Sequence, residues 1–132
     1  MSAWTWIDEQ LALAVHEQLL VRHGGPRGVR DSGLLQSALA PRQLQAYGER
    51  VDLAVLAAAY TAGIVQNHPF VDGNKRTGFV VGVLFLELNG AHFTASEEAA
   101  AEAVLSLAAG VGDEDAYCAF LRMNANLPAN DR

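Results

Sequence analysis

"VDLAVLAAAYTAGIVQNHPFVDGNKRTGFVVGVLFLELNG", residues 51–90, holds two apolar stretches joined by a polar hinge. The first stretch, up to Asn67, is apolar around most of a helical circumference, which places a helix in the middle of a bundle. The second is predicted as a helix over roughly 75–89, stopped by Asn89-Gly90. Two such helices with a short hinge between them are expected to be neighbours at the domain centre. The hinge carries His68, Asp72, Asn74, Lys75 and Arg76. Two cations at the start of a helix break the usual rule, because a helix N-terminus carries a partial positive charge and prefers acids.

The flanking segments also read as helix. "TWIDEQLALAVHEQLLVRHGG", residues 5–25, has Ile7, Leu11, Ala14, Val15, Leu19 and Leu20 at helical spacing. Thr5 or Asp8 is its candidate cap, and Gly24 or Gly25 its stop. "GGPRGVRDSG", residues 24–33, is a turn-rich loop, and "DSGLLQSALA" a short helix capped by Asp31 or Ser32 and stopped before Pro41. "ASEEAAAEAVLSLAAG" starts a helix at Thr94 or Ser96, with Glu97 and Glu98 correctly placed in its first turn. "DEDAYCAFLRMN" is a last amphipathic helix with Asp113 as candidate cap. Only residues 25–30 and 91–94 are strand candidates, both short, and the tail 125–132 is expected to fray. The fold expected is a single all-α domain over residues 1–132, a compact helical bundle with a short flap loop or hairpin.

Composition supports this. A chain of 132 residues with 51% hydrophobic and 18% charged residues can bury a real core. Its net charge of −6 argues against broad binding to nucleic acid or anionic membranes, so any anion site must be local. The lone Cys118 allows no internal disulfide and reads as a small core residue, which fits a reducing cytoplasm. The N-terminus lacks the basic and apolar regions of a signal peptide. The longest apolar run is too short for a membrane span and contains Glu87.

An anion at the hinge resolves the misplaced cations. A helix N-terminus offers free backbone N–H groups and a favourable dipole. Lys75 and Arg76 add charge for a phosphate group, Gly73 lets backbone approach it closely, and Asn74 can brace the loop. Asp72 is then misplaced unless a cation bridges it to the phosphates, as magnesium does. His68 is the nearby group able to accept a proton near neutral pH. Each residue also has a plainer reading: His68 as a helix C-cap, Asp72 as an N-cap, Lys75 and Arg76 as a solvated pair, Gly73 and Asn74 as turn residues.

"HPFVDGNKR", residues 68–76, resembles the Fic motif HPFx(D/E)GN(G/K)R, and its lysine resembles the death-on-curing (Doc) branch of that family. "GGPRGVRDSGLLQSAL", "YGERVDLAVLAAAYTAGIVQN" and "FLELNG" are similar to Doc segments in the same order, so the resemblance covers about residues 5–125. It implies a toxin of a bacterial toxin–antitoxin pair. It assigns His68 as the base that deprotonates a target hydroxyl, Asp72 as the Mg2+ ligand, Gly73, Asn74, Lys75 and Arg76 as phosphate binders, and Phe70 as the loop anchor. Two departures separate the chain from AMP-transferring members: Lys75 replaces a glycine, and Phe79 replaces a second arginine. Doc-type members share both and resemble kinases that move the γ-phosphate of ATP to a Ser/Thr hydroxyl, with elongation factor Tu as the family precedent. Arg27, Gly28, Val29 and Arg30 would belong to a flap whose backbone edge aligns the target. Plain turn structure explains that loop equally well, although Arg22, Arg27 and Arg30 make it locally basic.

Self-inhibited members carry (S/T)xxxE(G/N). "TWIDEQ" and "TASEEA" have the Thr-to-Glu spacing without the Gly/Asn, so inhibition is expected from a separate antitoxin segment that folds on binding. His16, His23 and His92 lack metal-ligand spacing, and no zinc site is assigned. Trp4 and Trp6 are expected in packing or partner contacts. The alternatives to a kinase are an AMP transferase, from the shared Fic core, and a non-catalytic antitoxin-binding module, against which the intact base argues.

Overall fold

The computed structural model describes residues 4–40 and 52–128. The expected stop at Pro41, the resembling residues 47–51 and the last residues of the tail lie outside them. The described residues form six helices: α1 Glu9–His23, α2 Ser32–Ala38, α3 Leu53–Asn67, α4 Asn74–Leu88, α5 Glu97–Ala109 and α6 Glu114–Met123. Two short strands, β1 His92–Phe93 and β2 Ala125–Asn126, form an antiparallel pair with His92 opposite Asn126 and Phe93 opposite Ala125. The expected all-α architecture is the one observed. The start of the tail departs from expectation, because residues 125–126 are paired and not frayed. The pairing continues where Thr94 donates its N–H and hydroxyl to the Asn124 carbonyl.

Helix starts follow local chemistry. Asp8, Asp31, Asp52, Ser96 and Asp113 each accept a hydrogen bond from a first-turn N–H of the helix they open. Among the described helices only α4 opens without a side-chain cap, on Gly73 at φ 79°. Asp72 therefore does not cap α4.

The middle of the bundle is α3, buried on nearly every face, with α4 beside it. Glycine lets the two backbones come close. A Cβ at Gly82 would fall on Thr61 Oγ1 and lie 3.0 Å from the Ala57 carbonyl oxygen. One at Gly78 would lie 2.9 Å from Val65 Cγ2, and Thr61 Oγ1 donates to the Gly78 carbonyl at 2.8 Å. Gly82→Ala is expected to destabilise the fold by about 1–3 kcal/mol in urea unfolding, because overpacking at a backbone contact outweighs the better helix propensity of alanine.

The N-terminal segment straps across this pair. Ile7 N–H donates to the Tyr60 hydroxyl at 3.0 Å, and Asn89 exchanges two hydrogen bonds with the Thr5 backbone. Trp4, Trp6 and Tyr60 surround Phe85, with centroids 5.0–6.4 Å from its ring, so both tryptophans are packing residues. Cys118 is buried, and burial pushes its thiol pKa up, as fits a core cysteine. No described helix is long and apolar enough to cross a membrane.

Candidate active site

The hinge between α3 and α4 is held so that its carbonyls face the scaffold. Helix α3 ends on His68 in the left-handed region, at φ 53° and ψ 57°, with its N–H on the Ile64 carbonyl. It is the non-glycine residue with positive φ among those described. For a non-glycine residue that conformation costs on the order of 1–3 kcal/mol and marks a functional candidate. His68 is thus both a C-cap and an exposed side chain on the cavity wall. Arg30 closes the helix end, donating from Nε to the His68 carbonyl at 2.7 Å and from Nη2 to the Asn67 carbonyl at 2.8 Å.

The next residues are fixed one by one. The Pro69 carbonyl accepts from the N–H groups of Arg30 and Asp31. Phe70 is buried, and its backbone N–H and C=O are both bonded to the Asn74 side-chain amide, at 2.9 and 3.0 Å. Val71 N–H donates to the Gly28 carbonyl at 3.0 Å. The Asp72 carbonyl accepts from His16 Nε2 at 2.8 Å, and the Gly73 carbonyl from the Thr77 N–H at 2.9 Å. The carbonyls of Asn67, His68, Pro69, Phe70, Asp72 and Gly73 are therefore all engaged by the scaffold. The N–H groups of Gly73, Asn74, Lys75 and Arg76 have no acceptor among the described residues. A run of free amides at an uncapped helix start is an anion-binding arrangement. Gly73 is required by its φ of 79° and not by space, since its nearest neighbour beyond the adjoining chain would lie 3.8 Å from a Cβ.

These amides open onto a cavity of about 790 Å³. His68, Asp72, Lys75 and Arg76 line it on one side. The end of α1 and its loop (His23, Gly24, Gly25) form a second wall, and α5 supplies a third through Glu97, Ala100, Ala101, Val104 and Leu105. Lys75 and Arg76 are exposed and form no ion pair with a described carboxylate. Gly25 fits under Asp72: a Cβ there would lie 2.6 Å from the carboxylate Oδ2, and its φ of 117° already excludes most side chains.

The loop before α2 is tied to the hinge. Val29 forms an antiparallel bridge with Phe70, through Arg30 N–H to Pro69 at 2.7 Å and Val71 N–H to Gly28 at 3.0 Å. In that pattern the N–H and C=O of Val29 point away from the hinge, so its outer edge is open. The local basic charge is largely committed. Arg27 pairs with Glu17 at 2.6 Å, and Arg30 serves the α3 terminus.

Sequence reasoning did not assign Arg30 this bracing role, gave His16 no function, and left α5 away from the site. The available signal for His16 was its place on the stripe Ala12–His16–Leu20, all three of which are buried. Arg30 offered no comparable sign, since its partners lie across the chain.

The model of the Fic/DOC family matches residues 6–86. The chain is 34% identical over 95 residues to "Protein kinase doc" of Escherichia phage P1, an alignment spanning 71% of this chain and 75% of that protein. It is 42% identical over 79 residues to "Toxin Doc" of Mycolicibacterium smegmatis, spanning 57% of this chain and 59% of that protein.

Proposed function

The chain belongs to the Fic/Doc family, on its death-on-curing side, and from that premise we propose that it is a toxin that transfers the γ-phosphate of ATP to a protein Ser/Thr hydroxyl. The observation that carries this reading is the uncapped α4 start, with free amides, Lys75 and Arg76 beside an exposed His68 in one cavity. The amides of Gly73 to Arg76 and the two cations would hold the phosphates. The Asn74 side chain is spent on bracing the loop, so its contribution is its backbone N–H.

His68 takes the proton of the target hydroxyl. The hydroxyl oxygen forms a bond to the γ-phosphorus as the bond from that phosphorus to the β-phosphate oxygen breaks. ADP leaves with the electron pair. Asp72 fits a magnesium ion borne by the nucleotide. The exposed Asp72 carboxylate lines the cavity onto which the free amides open, which suits an ion held mainly by phosphates and water. Such an ion would neutralise phosphate charge and link it to Asp72. Gly25→Ala, by displacing that carboxylate, is expected to raise the magnesium concentration for half-maximal activity about ten- to a hundredfold.

Lys75 occupies phosphate space and Phe79 offers no second clamp, which favours γ-transfer over AMP transfer. The open edge of Val29 supports target alignment by strand addition, with elongation factor Tu the first target to try and a separate antitoxin as the inhibitor. Expression in a bacterium tests the reading cheaply. Wild type should arrest growth and His68→Ala should not; equal arrest by a folded His68→Ala protein means the toxic activity is not this chemistry.

A further inference from the structure

His16 is 2% exposed on α1, and a buried ring with polar atoms is costly unless it is bonded. Its ring stacks on Phe70 with centroids 3.9 Å apart and planes 10° from parallel. Its Nε2 lies 2.8 Å from the Asp72 carbonyl oxygen. A carbonyl only accepts, so Nε2 carries the proton. His16 therefore grips two alternate residues of the hinge, Phe70 by its face and Asp72 by its carbonyl.

The second grip has a geometric consequence. The Asp72–Gly73 peptide is planar and trans, so its C=O and N–H point in opposite directions. With the carbonyl drawn toward α1, the Gly73 N–H points away from α1, where no described residue accepts it. We infer that His16 is a positioning residue that sets this peptide plane and so aims the Gly73 N–H at the incoming phosphate. This rests on the reading of the cavity as a nucleotide site. It assigns the first amide of the nest to a residue 56 positions distant in sequence.

Three substitutions separate the donor from the packing. His16→Phe keeps an aromatic face on Phe70 and removes the donor. His16→Gln places an amide N–H near the position of Nε2, whereas His16→Asn is too short to reach. Two readouts are needed: the residual dipolar coupling of the Gly73 N–H in free protein, and calorimetric binding of a non-hydrolysable ATP analogue with magnesium. The coupling should be the same in wild type and His16→Gln and altered in His16→Phe and His16→Asn. Binding should weaken about ten- to a hundredfold in the latter two and recover in His16→Gln, the range for a hydrogen bond to a charged group. If His16→Phe does not fold, the Gln and Asn pair carries the comparison. An unchanged Gly73 coupling in a folded donorless variant overturns the inference. So do equal affinities of the Gln and Asn variants where wild type binds the analogue. Wild type that fails to bind the analogue, with the coupling contrast intact, sinks the nucleotide reading and leaves the positioning of the peptide standing.

Discussion

His68→Gly is expected to lower target phosphorylation by about 10²–10⁴-fold while the variant unfolds no more easily than wild type. The two effects have separate causes. Removing the imidazole removes the general base. Placing glycine at φ 53° relieves a left-handed residue, a gain that the greater unfolded-state freedom of glycine cuts to about 1 kcal/mol of stability. Stability and activity then move in opposite directions at one position, which is the signature of strain kept for function. Urea unfolding beside a phosphorylation assay checks both. A folded His68→Gly protein of wild-type activity refutes the assignment of the base. A strongly destabilised one refutes the strain argument.

Lys75→Gly is the second large effect. Loss of one cation from a preorganised phosphate site costs about 10²–10³-fold in transfer. The substitution also clears the space that AMP-transferring relatives leave open at this position, so some transfer of AMP should emerge. Phe79→Arg in the same protein should increase it by supplying the missing clamp. Phe79 packs edge-on against Phe93 at 5.7 Å, and Phe93 against Phe120 at 6.1 Å, so the double variant should also lose stability. Its fold must be confirmed by circular dichroism before its activity is interpreted. Wild-type phosphorylation by folded Lys75→Gly would show that the cations at the start of α4 are not there for phosphate.

What was legible in the sequence was what local chemistry dictates. Asp8, Asp31, Ser96 and Asp113 stand as caps where side-chain acceptors precede helical patterns. The all-round apolar character of α3 located the core, and the two cations at the start of α4 pointed to the hinge as the candidate site. Long-range contacts were not legible. His16 meets Asp72 across 56 positions, and Arg30 meets Asn67 and His68 across 37 and 38. Basic charge in the flap suggested docking, but geometry turns Arg30 inward onto carbonyls that no local pattern announces. The α5 wall escaped notice because Ala100 and Val104 read equally well as ordinary packing positions. Ala125 and Asn126 looked like tail because a two-residue strand has no periodicity to detect, and its pairing depends on β1 and not on its own sequence.

The identity of the transferred group tests the account most directly. Purified protein is added to bacterial lysate with ATP labelled at either the α or the γ phosphate, and modified proteins are identified by mass spectrometry. The account predicts label from the γ position alone, on a Ser or Thr hydroxyl, and none with His68→Gly. Label from the α position on the target would contradict it.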